Sequence, residues 1–251
     1  MKTVMRDGSH LVVPGDFLKT LENCQGYYSC PINSDGKLLG PVVGYTAEYE
    51  PGKQWVGLEY FNFSQADQWP AVLENFARGM YNLLVESDIG DRDPNLLIVG
   101  APWAGVKFSQ AVAFDVGCRH IFAEKKGTDL VLGRYEDAIY PGNKVVIGEE
   151  LVNNASTTKK LIDLIEQAGG EVVAIMCAIN RSFPFRNSFE IAPGRKPIPI
   201  ISVIERSTPQ LRQDDPTMAE AIAAGNVVWK PKYSWNYLKN AMDAQRRYFQ
   251  Q

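Results

Sequence analysis

The run Lys144-Val145-Val146-Ile147-Gly148-Glu149-Glu150-Leu151-Val152-Asn153-Asn154-Ala155-Ser156-Thr157-Thr158, continuing into Lys159-Lys160-Leu161-Ile162-Asp163-Leu164-Ile165, changes character twice. A short apolar stretch ends in two adjacent carboxylates. A small polar loop follows, and then Leu161, Ile162, Leu164, Ile165 and Ala168 recur on one helical face. The pattern predicts strand, loop and helix, with the loop over residues 149–157. That loop lacks proline and is rich in residues that cap helices, so several backbone N–H groups can point at an anion bound where the helix begins. Lys159 and Lys160 fall in the predicted first turn, where an isolated helix favours acids. A bound phosphate would account for them.

Working outward, the same alternation recurs. Leu96-Leu97-Ile98-Val99 reads as a strand covered on both faces, Val106 to Val116 as a helix stopped by Gly117, and Arg119 to Ala123 as a second strand. Glu124 to Gly127 and Asp129 to Arg134 suggest the arms of a hairpin. After the helix that ends at Gly169-Gly170, Glu171 to Ile179 is a further buried strand, and Pro197 to Ile204 is strand-like. Strands alternating with helices at this spacing predict an α/β fold, an open and mostly parallel sheet flanked by helices.

On the N-terminal side, residues 15–25 form a short helical pattern, with Asp16 as N-cap and Gly26 as stop. Gly26 to Phe63 is rich in Gly, Pro, Tyr and Trp, with strand-forming pieces at Val42 to Thr46 and Trp55 to Tyr60 that suggest a hairpin-bearing lobe. Asp67 to Ser87 is a long amphipathic helix carrying Val72, Leu73, Phe76, Ala77, Met80, Leu83 and Leu84 on its core face. At the other end, Thr217 to Ala224 and Trp229 to Tyr248 read as helices. The expected organisation is a hood segment at 1–66, a core at 67–210 and a helical tail at 211–251 that packs on the hood or on a partner subunit.

The 251 residues are 45% hydrophobic with a net charge of −3, enough apolar content for a full core and no basic excess. This balance argues against a general nucleic-acid or anionic-membrane binder. Residues 1–7 lack the apolar centre of a signal peptide, and no apolar run approaches the roughly 18 residues that span a bilayer. A soluble, cytoplasmic protein is expected. Cys24, Cys30, Cys118 and Cys177 form no CxxC pattern and read as reduced structural residues, the last two in segments that look buried.

In an open parallel sheet, ligands collect beyond the carboxyl ends of the strands. Four candidate loops share that edge: 100–105 with small residues, 124–127 with Lys125 and Lys126, 149–157 with two carboxylates and a phosphate cradle, and 180–182 with Arg181. Together they suit a phosphorylated, metal-chelated substrate. Each has a plainer reading. Glu149 and Glu150 alternate in direction on a strand, so one can cap the loop while the other is solvated, or they can hold ribose hydroxyls or Mg²⁺ through water. Lys125-Lys126 also reads as a solvated turn, and Arg181 as a surface ion-pair partner.

Other chemistries are excluded by what is missing. Gly100 and Gly105 have Walker spacing, but Val106 follows Gly105 and Phe108 follows Lys107, so the phosphate lysine and the metal-binding hydroxyl are absent. No Gly-x-Gly-x-x-Gly fingerprint occurs. His10 and His120 match no nucleophile-base signature, and His120 reads as a packed strand residue.

Ile121-Phe122-Ala123-Glu124-Lys125, Gly142 to Thr157, Gly169 to Ala174 and Asn180-Arg181-Ser182 together resemble, in order and spacing, the type I phosphoribosyltransferases, and among them the orotate enzymes. The resemblance covers roughly residues 67–210. It implies that Glu149, Glu150, Asn153, Asn154, Ala155, Ser156 and Thr157 bind the ribose and 5′-phosphate of phosphoribosyl pyrophosphate. It also implies that Ala101, Pro102, Trp103, Ala104 and Gly105 form the pyrophosphate loop, that Lys125, Lys126 and Glu150 serve catalysis, and that Arg181 meets the base. Mg²⁺ held through water by Glu149 and Glu150, a nucleobase as second substrate and a homodimer are further implications.

The chain departs from the family pattern at its central loop. The second acid is Glu150, and the usual threonines and glycines are replaced by Asn153, Asn154, Ala155 and Ser156. Alanine and serine resist positive φ and close approach. The family's Ser-Gly segment with its orotate lysine has no counterpart near the N-terminus. Three readings follow: a phosphoribosyltransferase of orotate type or for another base, a non-catalytic phosphoribosyl pyrophosphate or nucleotide sensor, and a structural relative with no ligand.

Overall fold

Leu96, Leu97, Ile98 and Val99 are all buried, as a strand covered on both faces requires. They lie in the larger of two compact units in this computed structural model, which describes residues 11–89, 93–154 and 156–248. One unit is built from residues 11–17 and Asp67–Ser207, the other from Leu18–Ala66 and the chain from Thr208 onward.

In chain order the first elements are α1 (Phe17–Asn23), β1 (Tyr27–Ser29), β2 (Val42–Glu50), β3 (Lys53–Gly57) and β4 (Glu59–Phe61). Then come α2 (Pro70–Glu86), β5 (Leu96–Gly100), α3 (Ala104–Val116), β6 (Arg119–Phe122), β7 (Glu124–Lys126), β8 (Asp129–Val131) and β9 (Lys144–Val152). The chain continues with α4 (Ser156–Gln167), β10 (Glu171–Asn180), β11 (Ser188–Phe189) and β12 (Ile198–Glu205). It finishes with α5 (Pro216–Ala223), β13 (Val227–Val228) and α6 (Trp235–Tyr248).

The larger unit holds a six-stranded sheet in the order β11-β12-β10-β9-β5-β6. All neighbours are parallel except the short edge strand β11, which runs antiparallel to β12. The expected α/β class, an open and mostly parallel sheet with flanking helices, is what the chain adopts. Ranked by sequence, the five parallel strands read 2-1-3-4-5 from the β6 edge, so the order reverses between β5 and β9. The alternation of strand side chains divides the core. Leu97, Val99, Val145, Ile147 and Ile175 pack with Leu161, Ile162 and Ile165 of α4. On the opposite face, α2 and α3 pack on each other, α3 on β5 and β9, and α2 on β10 and β12.

Helix ends follow their residues. Gly117 closes α3 in the left-handed conformation, φ 73°, where a side chain would be strained. Pro70 starts α2, its missing N–H falling where no partner is needed. The N-terminal helix is shorter than its pattern, and the left-handed residue after it is Gln25 rather than Gly26. The last helix begins at Trp235, six residues later than the expected Trp229.

In the second unit, β13-β2-β3 form one sheet and β1-β4 a two-stranded one. Tyr28, Cys30, Val43 and Tyr45 pack with Val228, Trp235, Leu238 and Met242. No cysteine among the four is in a disulfide; Cys24, Cys30 and Cys177 are buried, whereas Cys118, expected in the core, is only half-buried. Among the described residues no helix is long and apolar enough to cross a membrane.

Candidate active site

The strand order reverses between β5 and β9, and in open α/β sheets ligands bind beyond the carboxyl ends of the strands at such a point. Three backbone approaches define this edge, two of them open only to glycine. The Ala101 N–H donates to the Gly148 carbonyl at 2.8 Å, joining the exit of β5 to β9. A Cβ on Gly105 would lie 2.5 Å from the Gly148 oxygen and 3.1 Å from the Glu149 Cα. One on Gly148 would lie 2.4 Å from the Ser109 Cβ. The start of α3 therefore rests on the backbone that carries the acidic pair, and only glycine permits this approach.

The loop after β5 is shorter than expected. It spans Ala101, Pro102 and Trp103, while Ala104 and Gly105 already belong to the first turn of α3. Ala101 and Gly105 are buried; Trp103 is 65% exposed.

The central loop needs a larger correction. β9 does not stop at the carboxylates but runs through Glu149, Glu150, Leu151 and Val152, paired to β10 as Leu151↔Ile179 and Val152↔Asn180. α4 begins at Ser156, so Thr157 and Thr158 lie in its first turn and the connection is residues 153–155 alone. Ala155 lies outside the described residues, as does His10. Asn153 is half-buried; Asn154 and Thr157 are exposed. None of Asn153, Asn154 or Ser156 takes positive φ, so the steric objection to non-glycine residues does not arise at these positions.

Because β9 is still extended there, Glu149 and Glu150 point to opposite faces. The Glu149 carboxylate accepts a hydrogen bond from the buried Thr158 hydroxyl at 3.1 Å. Burial raises its pKa to about 7; the Thr158 bond and the Lys125 charge oppose the rise, and the neighbouring Glu150 adds to it. Lys125 thus acts electrostatically on Glu149 from the β7–β8 hairpin, whose strands pair as Lys125↔Leu130 and Lys126↔Asp129. Both hairpin lysines are exposed.

Lys159 and Lys160, taken from sequence as signs of a phosphate, have other partners. Lys159 bridges Asp163 one turn on at 2.8 Å, and Lys160 donates to the Thr128 carbonyl in the hairpin turn at 2.9 Å. A helix begun at Ser156 carries both past its first N–H groups, and i,i+4 pairing accounts for Lys159 without a ligand.

Arg181 is not a surface residue: it is 6% exposed, and its N–H donates to the Val152 carbonyl at 2.9 Å, beside the start of the 153–155 connection. Sequence reasoning missed one polar contact altogether, the 2.8 Å hydrogen bond between the Ser109 hydroxyl and His120 Nε2. Burial pushes the His120 pKa down to about 4, which keeps the ring neutral, and Ser109 is wholly buried, so the pair ties α3 to β6 rather than presenting a nucleophile. Its members sit on different elements, and no local pattern could have joined them.

No family model matches the chain. Over 123 residues it is 28% identical to an orotate phosphoribosyltransferase of Heliobacterium modesticaldum, covering 49% of this chain and 62% of that protein. Over another alignment of 123 residues it is 24% identical to an orotate phosphoribosyltransferase of Desulforamulus reducens, covering 49% and 61%. Over these segments, about half of its length, the chain is similar to orotate phosphoribosyltransferases. It spans about three-fifths of the length of these curated relatives. Among solved structures, an orotate phosphoribosyltransferase from Aeropyrum pernix superposes with a TM-score of 0.47 at 13% identity, covering 84% of this chain and 99% of that one.

The acidic pair raises the question of Mg²⁺. Among the described residues no cluster of three or more His, Cys, Asp or Glu side chains is placed to hold a metal. Mg²⁺ usually keeps several waters and binds one or two carboxylates together with substrate phosphates. Glu149 and Glu150 form no dedicated cage, because they face opposite sides of β9; a single carboxylate sharing a hydrated ion with substrate phosphates is the mode that fits them.

Proposed function

We propose that this chain transfers ribose 5-phosphate from phosphoribosyl pyrophosphate to a ring nitrogen of a nucleobase, orotate being the first candidate. The observation that carries the reading is the convergence, at the carboxyl end of β9, of Glu149, the Lys125 charge that acts on it and the N-terminus of α4. In this reading Asn153, Asn154, Ala155, Ser156 and Thr157 bind the 5′-phosphate through backbone N–H groups at the helix start. Of Glu149 and Glu150, which face opposite sides of β9, the one on the ligand side holds the ribose hydroxyls. Residues 101–105 carry the pyrophosphate, and Arg181 meets the base.

The base nitrogen attacks the anomeric carbon as the bond to pyrophosphate breaks, and the leaving group takes the electron pair. Lys125 and Lys126 supply positive charge where pyrophosphate departs, and the fixed loops supply orientation. Mg²⁺, held through water by the ligand-side carboxylate of that pair, would neutralise part of the pyrophosphate charge. The division into a base-selecting segment at 1–66, a core at 67–210 and a tail at 211–251, a homodimeric assembly and a cytoplasmic setting belong to the same reading.

The alternative of a phosphoribosyl pyrophosphate sensor without turnover is favoured by the Asn153-Asn154-Ala155-Ser156 sequence where family members have threonine and glycine. One assay separates the two. With Mg²⁺ and phosphoribosyl pyrophosphate, pyrophosphate release is expected with orotate or another base from a purine and pyridine panel. Calorimetric binding of phosphoribosyl pyrophosphate with no release for any base would establish the sensor instead.

A further inference from the structure

Beyond β10 the chain reads Asn180-Arg181-Ser182-Phe183-Pro184-Phe185-Arg186, and this turn is held by its own polar side chains. The Asn180 carboxamide oxygen accepts from the Ser182 hydroxyl at 2.9 Å and from the Ser182 N–H at 3.2 Å. The Asn180 amide donates to the Arg186 carbonyl at 2.8 Å, and the Ser182 hydroxyl accepts from the Arg186 N–H at 2.9 Å. From outside the turn, the Ser207 hydroxyl donates to the Ser182 carbonyl at 3.0 Å. Asn180 and Ser182 are buried.

The residues inside this frame are placed the other way round from their polarity. Arg181 is 6% exposed, while Phe183 and Phe185 are 49% and 41% exposed. Large aromatic side chains left open on a loop braced by buried hydrogen bonds are poorly explained by packing, since among the described residues nothing covers them. They are well explained by a flat ligand that does. The turn starts at the carboxyl end of β10, where the Arg181 N–H meets Val152 at the end of β9, so the aromatic pair belongs to the same sheet edge as the 153–155 connection.

We propose that Phe183 and Phe185 form a stacking surface for the planar base of a nucleotide, with Asn180 and Ser182 as the positioning residues that hold it. The inference rests on the phosphoribosyl reading above and names two base-binding side chains for it. Stacking is tolerant of base identity, because every base has a π face. The surface would therefore add affinity for bases in general and leave discrimination to polar groups such as Arg181.

The test is calorimetric and independent of turnover. Ribose 5-phosphate, uridine 5′-monophosphate and adenosine 5′-monophosphate are titrated into the full chain and into Phe183→Ala, Phe185→Ala and Phe185→Tyr. Wild type is expected to bind the nucleotides more tightly than ribose 5-phosphate. Each alanine variant should bind them roughly tenfold more weakly, with ribose 5-phosphate affinity unchanged and with Phe185→Tyr close to wild type. Both phenylalanines are open to solvent, so melting temperatures should stay near wild type. Equal nucleotide affinity in wild type and both alanine variants overturns the proposal, as does an equal loss for ribose 5-phosphate. A change of oligomeric state in the variants with nucleotide affinity intact overturns it in favour of a protein contact. Failure of wild type to bind ribose 5-phosphate at all, while it still binds the nucleotides, counts against the phosphoribosyl reading and leaves the stacking surface standing.

Discussion

Among the candidate site residues, Glu149 is the one whose chemistry its surroundings alter most. Its pKa of about 7 lies above the ordinary carboxylate value, so between those two pH values the folded chain holds a proton that the unfolded chain has released. The contribution to stability is complete below the ordinary carboxylate pKa and is lost as pH rises through about 7. Chemical denaturation from pH 4 to 8 should show wild type losing on the order of 3 kcal/mol relative to Glu149→Gln, which cannot ionise. Parallel profiles for the two proteins would contradict the assignment. Gly105 gives a second prediction at this scale. Gly105→Ala puts a methyl group against backbone atoms that cannot yield, and the urea midpoint should fall by an amount corresponding to about 1–3 kcal/mol. The Glu149-Glu150 pair also shows where a sequence misleads. Two adjacent acids read locally as the end of a strand, yet pairing of Leu151 and Val152 with β10 carries β9 past them. That pairing depends on a segment about 28 residues later and leaves no mark in the local pattern.

At the scale of elements, the buried strands β5, β9 and β10 and the helices α2, α3 and α4 were readable because continuous apolar runs and helical periodicity each admit one interpretation at these lengths. β11 was not: two residues of antiparallel edge carry no period. The β7–β8 hairpin was readable as an element, but its attachment was not. Lys160 ties its turn to α4 through the Thr128 carbonyl, a contact between elements that sequence spacing cannot reveal. Lys160→Ala should leave global stability within about 0.5 kcal/mol, as for other exposed polar contacts. Amide hydrogen exchange in residues 124–131 should nevertheless quicken. Unchanged exchange there would mean that the strand pairing alone holds the hairpin. If Lys125 and Lys126 act on the leaving group, the same variant should lower the rate of pyrophosphate release more than it alters phosphoribosyl pyrophosphate binding.

Across the whole molecule, the second unit draws on both ends of the chain. Val228, Trp235, Leu238 and Met242 complete a cluster whose other members lie before residue 46. Truncation after Ser207 should therefore expose Tyr28, Val43 and Tyr45, and the truncated chain should bind a hydrophobic dye and lose a cooperative melting transition that the full chain shows. Cooperative melting without dye binding would show that residues 18–66 hold together unaided. In the larger unit, the Ala101 N–H bonds the Gly148 carbonyl and Gly105 is seated on the same oxygen. These contacts act as a caliper. The loops after β5 and β9 are set apart by backbone contacts that only glycine at 105 and 148 permits, so with those glycines in place a ligand spanning the loops must match one fixed measure. The turn after β10 makes neither contact, and its side chains can be replaced without resetting the jaws.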